Sequence, residues 1–473
     1  MNGVIHETIA KVVLFVTGFA VNILLSKKGD TEFGYVGTFT SLLFVFELFL
    51  TNGVRQAIAR VVSSYNPDTK KLWKTASITQ LSFVIILIAV GMLIKNPLVA
   101  VLGIERYENL YLLIFLILPI EGIFYVKMGF LHGFFKYSKH ALSNSVYSLV
   151  RMTVTIILLN YFDNGIVPIL LGTAVGYVIG YLVGGKRSDI EGEEVDLQDF
   201  LHLTFGFLSF FILVTIFLNL DILILNAAGI TKDMVGQYKA ATSLSLTIYY
   251  LLTSVTQVSL PIISKLDTEN NQEAMRLFVN RILVLLLFLM AFAFVFFNFF
   301  APQLILLFYG KDYLHGVQVL PLHALSMCLL SILIFLGNIY FALHKKMGFL
   351  FIILGGLVLY VGLTFLISGR FGLLSPPISL AVISIPCTIG IVALLNHNRV
   401  CMVQSKKLVK VAAVLTLSAG GVVFLYDRFA SRFNPVLFGI ALILLFIAIN
   451  LGSQVELRAA FRSLLDEVRG KNA

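Results

Sequence analysis

The chain has 473 residues, of which 58% are hydrophobic and 13% charged, about half the charge of a soluble domain. With a mean hydropathy of +0.93, this excludes a soluble enzyme, a disordered chain and a disulfide-rich secreted module. The apolar runs are continuous rather than alternating, which excludes a membrane β-barrel and leaves a polytopic α-helical membrane protein. The formal charge of +10 points to basic loops held at an anionic membrane face rather than to nucleic acid. Cys328, Cys387 and Cys401 have no metal-like spacing, and neither a metal nor a cofactor is expected.

A span needs about 20 apolar residues. Fourteen are expected, at 8–26, 34–54, 76–95, 109–131, 141–162, 166–185, 203–226, 238–262, 278–300, 317–342, 348–368, 375–396, 409–426 and 435–453. The first run carries Lys11 and has no small-residue cleavage pattern before Lys27 and Lys28, so it stays as a span. After the last, residues 454–473 read as an amphipathic helix. Leu457, Phe461, Leu464, Leu465 and Val468 lie on one face, opposite Arg458, Arg462, Glu467 and Arg469.

Loop charge sets the orientation. The even-numbered connections and the tail carry more than twice as many Lys and Arg as the odd-numbered ones, led by Arg55, Arg60, Lys70, Lys71 and Lys74. Both termini are therefore expected in the cytoplasm of a cell-membrane protein. Acids crowd the linker 186–202, but the rule counts bases, and Lys186 and Arg187 lead that segment. The outer loops are short and no G-x-x-x-x-G-K-[ST] run occurs, so neither a large catalytic domain nor an ATP motor is expected.

A shift of 202 residues brings Gly34 onto Gly236, Thr40-Ser41-Leu42 onto Thr242-Ser243-Leu244 and Thr51 onto Thr253. Gly103 with Tyr107 is echoed by Gly310 with Tyr313. Corresponding points are six spans apart, an even number, so the halves are parallel repeats. The expected domains are a six-helix lobe at 1–185, a cytoplasmic linker at 186–202, a second six-helix lobe at 203–400, two extra helices within 401–453, and the tail.

The stretch GDTEFGYVGTFTSLL after span one, Gly53 and Arg60 in NGVRQAIAR, and LNLDILILNAAGITKDMVGQYKAATSLS with Asp221, Gly236 and Tyr238 carry a family likeness. LPIISKL and LILLFYGKDYLHGVQVLPLHALS add to it. In this order they resemble polysaccharide transporters of the multidrug, oligosaccharidyl-lipid and polysaccharide exporter superfamily, over residues 8 to about 400. Gly29-Asp30-Thr31 stands where Leu-Gly-Pro is common, and span one lacks the arginine run of lipid II flippases. The resemblance implies a flippase that moves polyprenyl-diphosphate-linked oligosaccharide from the inner to the outer leaflet. It also implies a two-lobed bundle with a cavity lined mainly by spans one, two, seven and eight.

Charged residues near mid-bilayer cost roughly 2.5–3.5 kcal/mol on insertion scales, so each needs a reason. Counting from the connecting turns at 1.5 Å per residue places Glu121 level with Arg151, Asp221 level with Lys239, and Glu47 within reach of Lys11. These pairs read either as structural bridges or as coupling groups. Lys11, Glu47 and Lys239 are candidates for the cavity, and Arg55 and Arg60 for capture of a diphosphate at the cytoplasmic mouth, where a planar guanidinium suits phosphate. Topological anchoring is the plainer reading of the two arginines. Lys127 reads as snorkelling to the interface. Asn22, Asn219 and Asn338 read as helix–helix hydrogen bonds, and Pro119, Pro261 and Pro386 as kinks.

The expected substrate is thus a lipid-linked oligosaccharide, with membrane lipids as surroundings and sodium or protons as coupling ion. Two alternatives belong to the same superfamily: a lipid II flippase and a cation or drug antiporter. An antiporter would carry an acidic, aromatic-lined cavity. A membrane polymerase or ligase would carry a large outer loop with polar catalytic groups.

Overall fold

The computed structural model describes residues 2–64, 67–185, 190–342, 348–397, 403–455 and 457–459. Lys186, Arg187, Lys345, Lys346, His344, Cys401 and most of the expected tail helix, including Phe461, Leu464, Leu465 and Val468, lie outside them. Among the described residues the regular elements are all helices, with one isolated bridge, Pro67 with Glu193, beside them.

The first helices are α1 (Asn2–Ser26), α2 (Asp30–Thr51), α3 (Gly53–Ser64), α4 (Thr69–Leu93), α5 (Lys95–Leu102), α6 (Tyr111–Gly133), α7 (Tyr137–Leu158) and α8 (Ile166–Val183). Then come α9 (Leu197–Thr215), α10 (Leu220–Ala227) and α11 (Lys232–Thr268). The rest are α12 (Gln272–Phe308), α13 (Val319–Ala342), α14 (Gly348–Phe371), α15 (Ser375–His397), α16 (Ser405–Phe429) and α17 (Pro435–Ser453). Polar caps start several of them. Asp68 accepts from the backbone N–H groups of Lys70 and Lys71, both at 3.0 Å, and Asn434 does the same before Pro435 at the head of α17. Gly103, at φ 58°, closes α5 in the left-handed conformation that suits glycine.

Twelve described segments are apolar and long enough to cross a membrane. One of them, Gly348–His397, holds both α14 and α15, and the 37-residue α11 is a further long helix. This agrees with the expected fourteen. The repeat echo also has a structural counterpart: 3₁₀ turns at Glu105–Leu110 and Lys311–Gln318 precede the fourth and tenth spans.

Two spans differ from their expected form. Span two does not stop at its end but turns at Asn52 and continues as α3, because Thr51-Asn52-Gly53 is a run of weak helix formers. Span seven is broken. A 3₁₀ turn at Ile216–Leu218 and a non-helical Asn219 (φ −140°, ψ 2°) separate α9 from α10. Asn219 therefore marks the break, where a helix–helix hydrogen bond was expected.

By its contacts the chain divides into Met1–Lys239 and Ala240–Ala473. The expected boundary at 186–202 lies inside the first unit, because α9 packs on α3 and α10 on α2. Phe200 and Leu203 join Val54, Ile58 and Phe130 in a common core there. Small residues set the closest helix approaches. On α8, Gly172, Gly176 and Gly180 face the α7 carbonyls of Arg151, Tyr147 and Ser143, and a methyl on any of them would press on those backbones. Gly129 and Gly133 of α6 do the same for α3. Residues 190–196 lie along the start of α4: the Asp68 N–H donates to Glu193 at 2.8 Å, and Lys71 pairs with Glu194 at 2.8 Å. In the second unit, α12 packs with α16 and α17 through Phe288, Val295, Phe299, Leu415, Val422 and Phe446. Asn450 of α17 donates to Ser418 of α16 at 3.0 Å, which gives this apolar seam a fixed register.

Candidate functional site

Three polar clusters of the first unit carry the candidate residues. The first is at the end where α1 begins. Gly129 presses against the carbonyl of Arg55 and so sets α3 close on α6, leaving the Arg55 guanidinium 5.6 Å from the centre of the Tyr125 ring. Across the turn between α6 and α7, the rings of His132 and His140 are 5.5 Å apart. His140 is 6% exposed and its Nδ1 lies 2.7 Å from Oε1 of Glu7. Lys11, one turn along α1 from Glu7, stands in the fields of Glu7 and Arg55. Arg60 does not join this group; it is exposed on the far side of α3.

The second cluster is deeper. Glu121 of α6 is 0% exposed. Its Oε1 accepts from the Tyr177 hydroxyl of α8 at 3.1 Å, and the same hydroxyl lies 3.4 Å from Oε1 of Glu47 on α2. The ring of Tyr177 stacks on Tyr147 at 4.4 Å, a spacing made possible by the glycine stripe of α8. Arg151 donates to the Tyr147 hydroxyl at 3.4 Å, and its Nη2 is the atom a methyl on Gly18 of α1 would meet.

The expected Glu121–Arg151 bridge is absent: no ion pair joins these two described residues. Counting along a hairpin gives depth alone, whereas rotation about the helix axis decides contact, and Arg151 is turned toward Gly18 of α1. Two buried atoms, Oε2 of Glu121 and Nε of Arg151, have no hydrogen-bond partner. Glu47 and Lys11, also expected to meet, belong to different clusters, with Glu47 beside Tyr177 and Lys11 beside Glu7.

The third cluster surrounds the broken seventh span. Asp221 sits in the first turn of α10, 3% exposed, where the helix N-terminus favours an anion. Its Oδ1 accepts from the Ile222 N–H at 2.8 Å, and its Oδ2 from the Tyr238 hydroxyl at 2.7 Å. Asp221 also contributes to the field at Lys239, and the stem of Lys239 runs along Gly37 of α2, with Cγ 3.4 Å from where a methyl there would sit. Nearby, Lys232 donates to the Leu102 carbonyl at 2.5 Å, to Thr38 at 3.3 Å and to Asn226. It thus ties α5, α2 and α10 to the head of α11.

Some polar groups act locally. Lys127 donates to the Tyr181 carbonyl at 2.5 Å, satisfying a late carbonyl of α8. In the second unit the Nδ1 of buried His323 lies 2.6 Å from the Ser245 hydroxyl. Glu7, His132, His140 and Tyr177 were not among the residues singled out from sequence, and Tyr238 was named there only for the family likeness. Their signal was available: two histidines flank a tight helical turn, and tyrosines recur on spans four, five and six at Tyr125, Tyr147 and Tyr177.

Comparison with known proteins places this geometry in a family. The profile of a family described as "polysaccharide biosynthesis protein" matches residues 24–318. No curated protein matches the chain. Among solved structures, a lipid II flippase, MurJ, in an inward closed conformation is similar over 94% of this chain and 99% of its own, with a TM-score of 0.71 and 18% identity. An inward-facing multidrug resistance transporter of the MATE family is similar over 84% of this chain and 96% of its own, with a TM-score of 0.67 and 15% identity. A MOP superfamily transporter from Pyrococcus furiosus, described as having a binding pocket of reversed polarity, covers 84% and 95%, with a TM-score of 0.59 and 15% identity. These likenesses establish a MOP-type transporter fold, and the match over more than half of the sequence shows that the chain belongs to the polysaccharide biosynthesis protein family.

Proposed function

We propose that the protein is a flippase for polyprenyl-diphosphate-linked oligosaccharide, moving it from the inner to the outer leaflet by alternating access of its two six-helix halves. The observation that carries this reading is the base cluster of the first unit, where Glu7 holds His140, His132 lies beside it, and Lys11 and Arg55 stand on the neighbouring turns of α1 and α3. A hydrophilic headgroup with two phosphates needs such a surplus to leave water for the interior of a ~30 Å hydrocarbon layer. The family match and the fold shared with a lipid II flippase support the same substrate class. The loop-charge bias supports cytoplasmic termini, which puts this cluster at the inner leaflet, where the substrate starts. Glu47, Glu121 and Asp221, each bound to a tyrosine hydroxyl, are the groups to carry coupling to protons or sodium.

The test is headgroup translocation in reconstituted vesicles, normalised to protein content. A charge-assisted contact to phosphate contributes roughly 1.5–3 kcal/mol, so Arg55→Gln or Lys11→Gln lowers flux on the order of 10- to 100-fold. Arg55→Lys restores part of it, since a point charge replaces a planar fork. Substitutions at Arg370 and Arg432, at the opposite end by the same orientation, are mild. Normal flux in both Arg55→Gln and Lys11→Gln rules the reading out.

A further inference from the structure

The base cluster already contains an anion, and the chain itself supplies it. Glu7, in the second turn of α1, places Oε1 2.7 Å from Nδ1 of His140. Its side chain is 24% exposed, against 8% for His140, so the carboxylate reaches inward from the rim while the histidine forms the floor. His132 stacks obliquely beside His140, with Tyr137 edge-on to it at 5.5 Å. Arg55 lies over Tyr125, and Lys11 stands one turn along α1 from Glu7. Four basic groups, on α1, α3, α6 and α7, thus share this end of the unit with Glu7.

That ratio is not what a structural ion pair needs. A bridge that fastens α1 to α7 is complete with one base, and each further base adds repulsion and desolvation that one carboxylate cannot offset. A ligand with two phosphates brings more charge and more acceptor oxygens than a carboxylate, and can engage several bases at once. The site is therefore built for a larger anion than the one it holds.

Resting on the function proposed above, we infer that Glu7 is a displaceable stand-in for the substrate's diphosphate. It occupies the inner headgroup site, with His132 and His140 as binding groups beside Lys11 and Arg55, and leaves when the headgroup arrives. While the site is empty the carboxylate holds the bases together. On loading, α1 loses its tie to His140, which couples occupancy of the site to freedom of the first helix.

The experiment is titration of the purified full-length protein with inorganic pyrophosphate by calorimetry, at fixed ionic strength. Removing a competitor strengthens binding, so Glu7→Gln tightens pyrophosphate about 5- to 30-fold, and His140→Gln weakens it at least 5-fold in both wild type and Glu7→Gln. Glu7→Asp, one methylene shorter, moves affinity in the same direction as Glu7→Gln by a smaller factor and serves if the glutamine variant does not fold. Unchanged or weaker pyrophosphate binding in both Glu7 variants overturns the inference and shows a helix tie only. So does an absence of pyrophosphate binding in wild type and both variants. If the Glu7 and His140 variants behave as stated but vesicles translocate no lipid-linked oligosaccharide, the anion site stands and the transport reading is what fails.

Discussion

Gly34 on α2 and Gly236 on α11 meet backbone to backbone: a methyl on Gly34 would strike the Lys232 carbonyl, and one on Gly236 the Asp30 carbonyl. The contact is reciprocal. Asp30 corresponds to Lys232, and Gly34 to Gly236, under the same shift of 202 residues that relates the two sequence repeats. The heads of α2 and α11 therefore cross at positions that match under the sequence repeat, and glycine is needed there twice for a single reason.

Gly→Ala substitution normally favours a helix by up to about 1 kcal/mol. At Gly34 and Gly236 the sign reverses, because the added methyl meets helical backbone that cannot yield, and overpacking of this kind costs about 1–3 kcal/mol. Gly362 of α14 and Gly420 of α16 face open space, so alanine there leaves the melting temperature unchanged or raises it. Thermal unfolding in one detergent checks all four. Equal effects at the crossing and control positions would show that the crossing is loose.

Arg151 is expected to couple to Glu47 and not to Glu121. In a double-mutant cycle on thermal stability, Arg151→Gln and Glu47→Gln show a coupling of about 0.5–3 kcal/mol, whereas Arg151→Gln with Glu121→Gln is close to additive. A strong Glu121 coupling would restore the hairpin bridge that depth counting alone suggests.

Tyr238→Phe removes the hydroxyl that donates to Asp221 and leaves a buried oxygen short of a partner, at a cost of roughly 1.5–3 kcal/mol. In an Asp221→Leu background the same substitution is nearly neutral, since the acceptor is gone. Denaturation midpoints of the four proteins measure this. An undiminished cost in the leucine background would place the role of Tyr238 elsewhere.

Orientation is open to labelling. With single cysteines in a cysteine-free chain, impermeant reagents are expected to reach positions 30, 232 and 311 from outside intact cells, and positions 71 and 407 only after permeabilisation. Labelling of 30 and 71 from the same side would end the proposed topology.

Much of this was legible in the sequence for physical reasons. Spans are long apolar runs, so hydropathy finds them. The repeat survives where geometry tolerates one residue type, as at Gly34 and Gly236. Depth along a hairpin is simple counting, and it set Asp221 beside Lys239 as a candidate pair. Contact also depends on rotation about each helix axis, which counting does not give, and Glu121 meets Tyr177 rather than Arg151. The Glu7 cluster was half visible. Lys11 and Arg55 were chosen for their charge, while Glu7 lay just before the first expected span, and His132 and His140 flanked a turn that hydropathy treats as a gap. Arg60 looked equivalent to Arg55, but α3 turns it to the opposite face.

The interruption at Asn219 changes what a mutation in the seventh span can do. Inserting one residue into a continuous helix rotates everything after it by about 100°, and Asp221 would swing out of its pocket. Here α9 ends before the carboxylate's own helix begins, and α10 is held from the other side, by Tyr238 and by the Asn226 amide on Thr38 at 3.1 Å. A one-residue insertion upstream of Ile216 is therefore expected to be taken up at the joint, leaving Asp221 where Tyr238 and Thr38 hold α10.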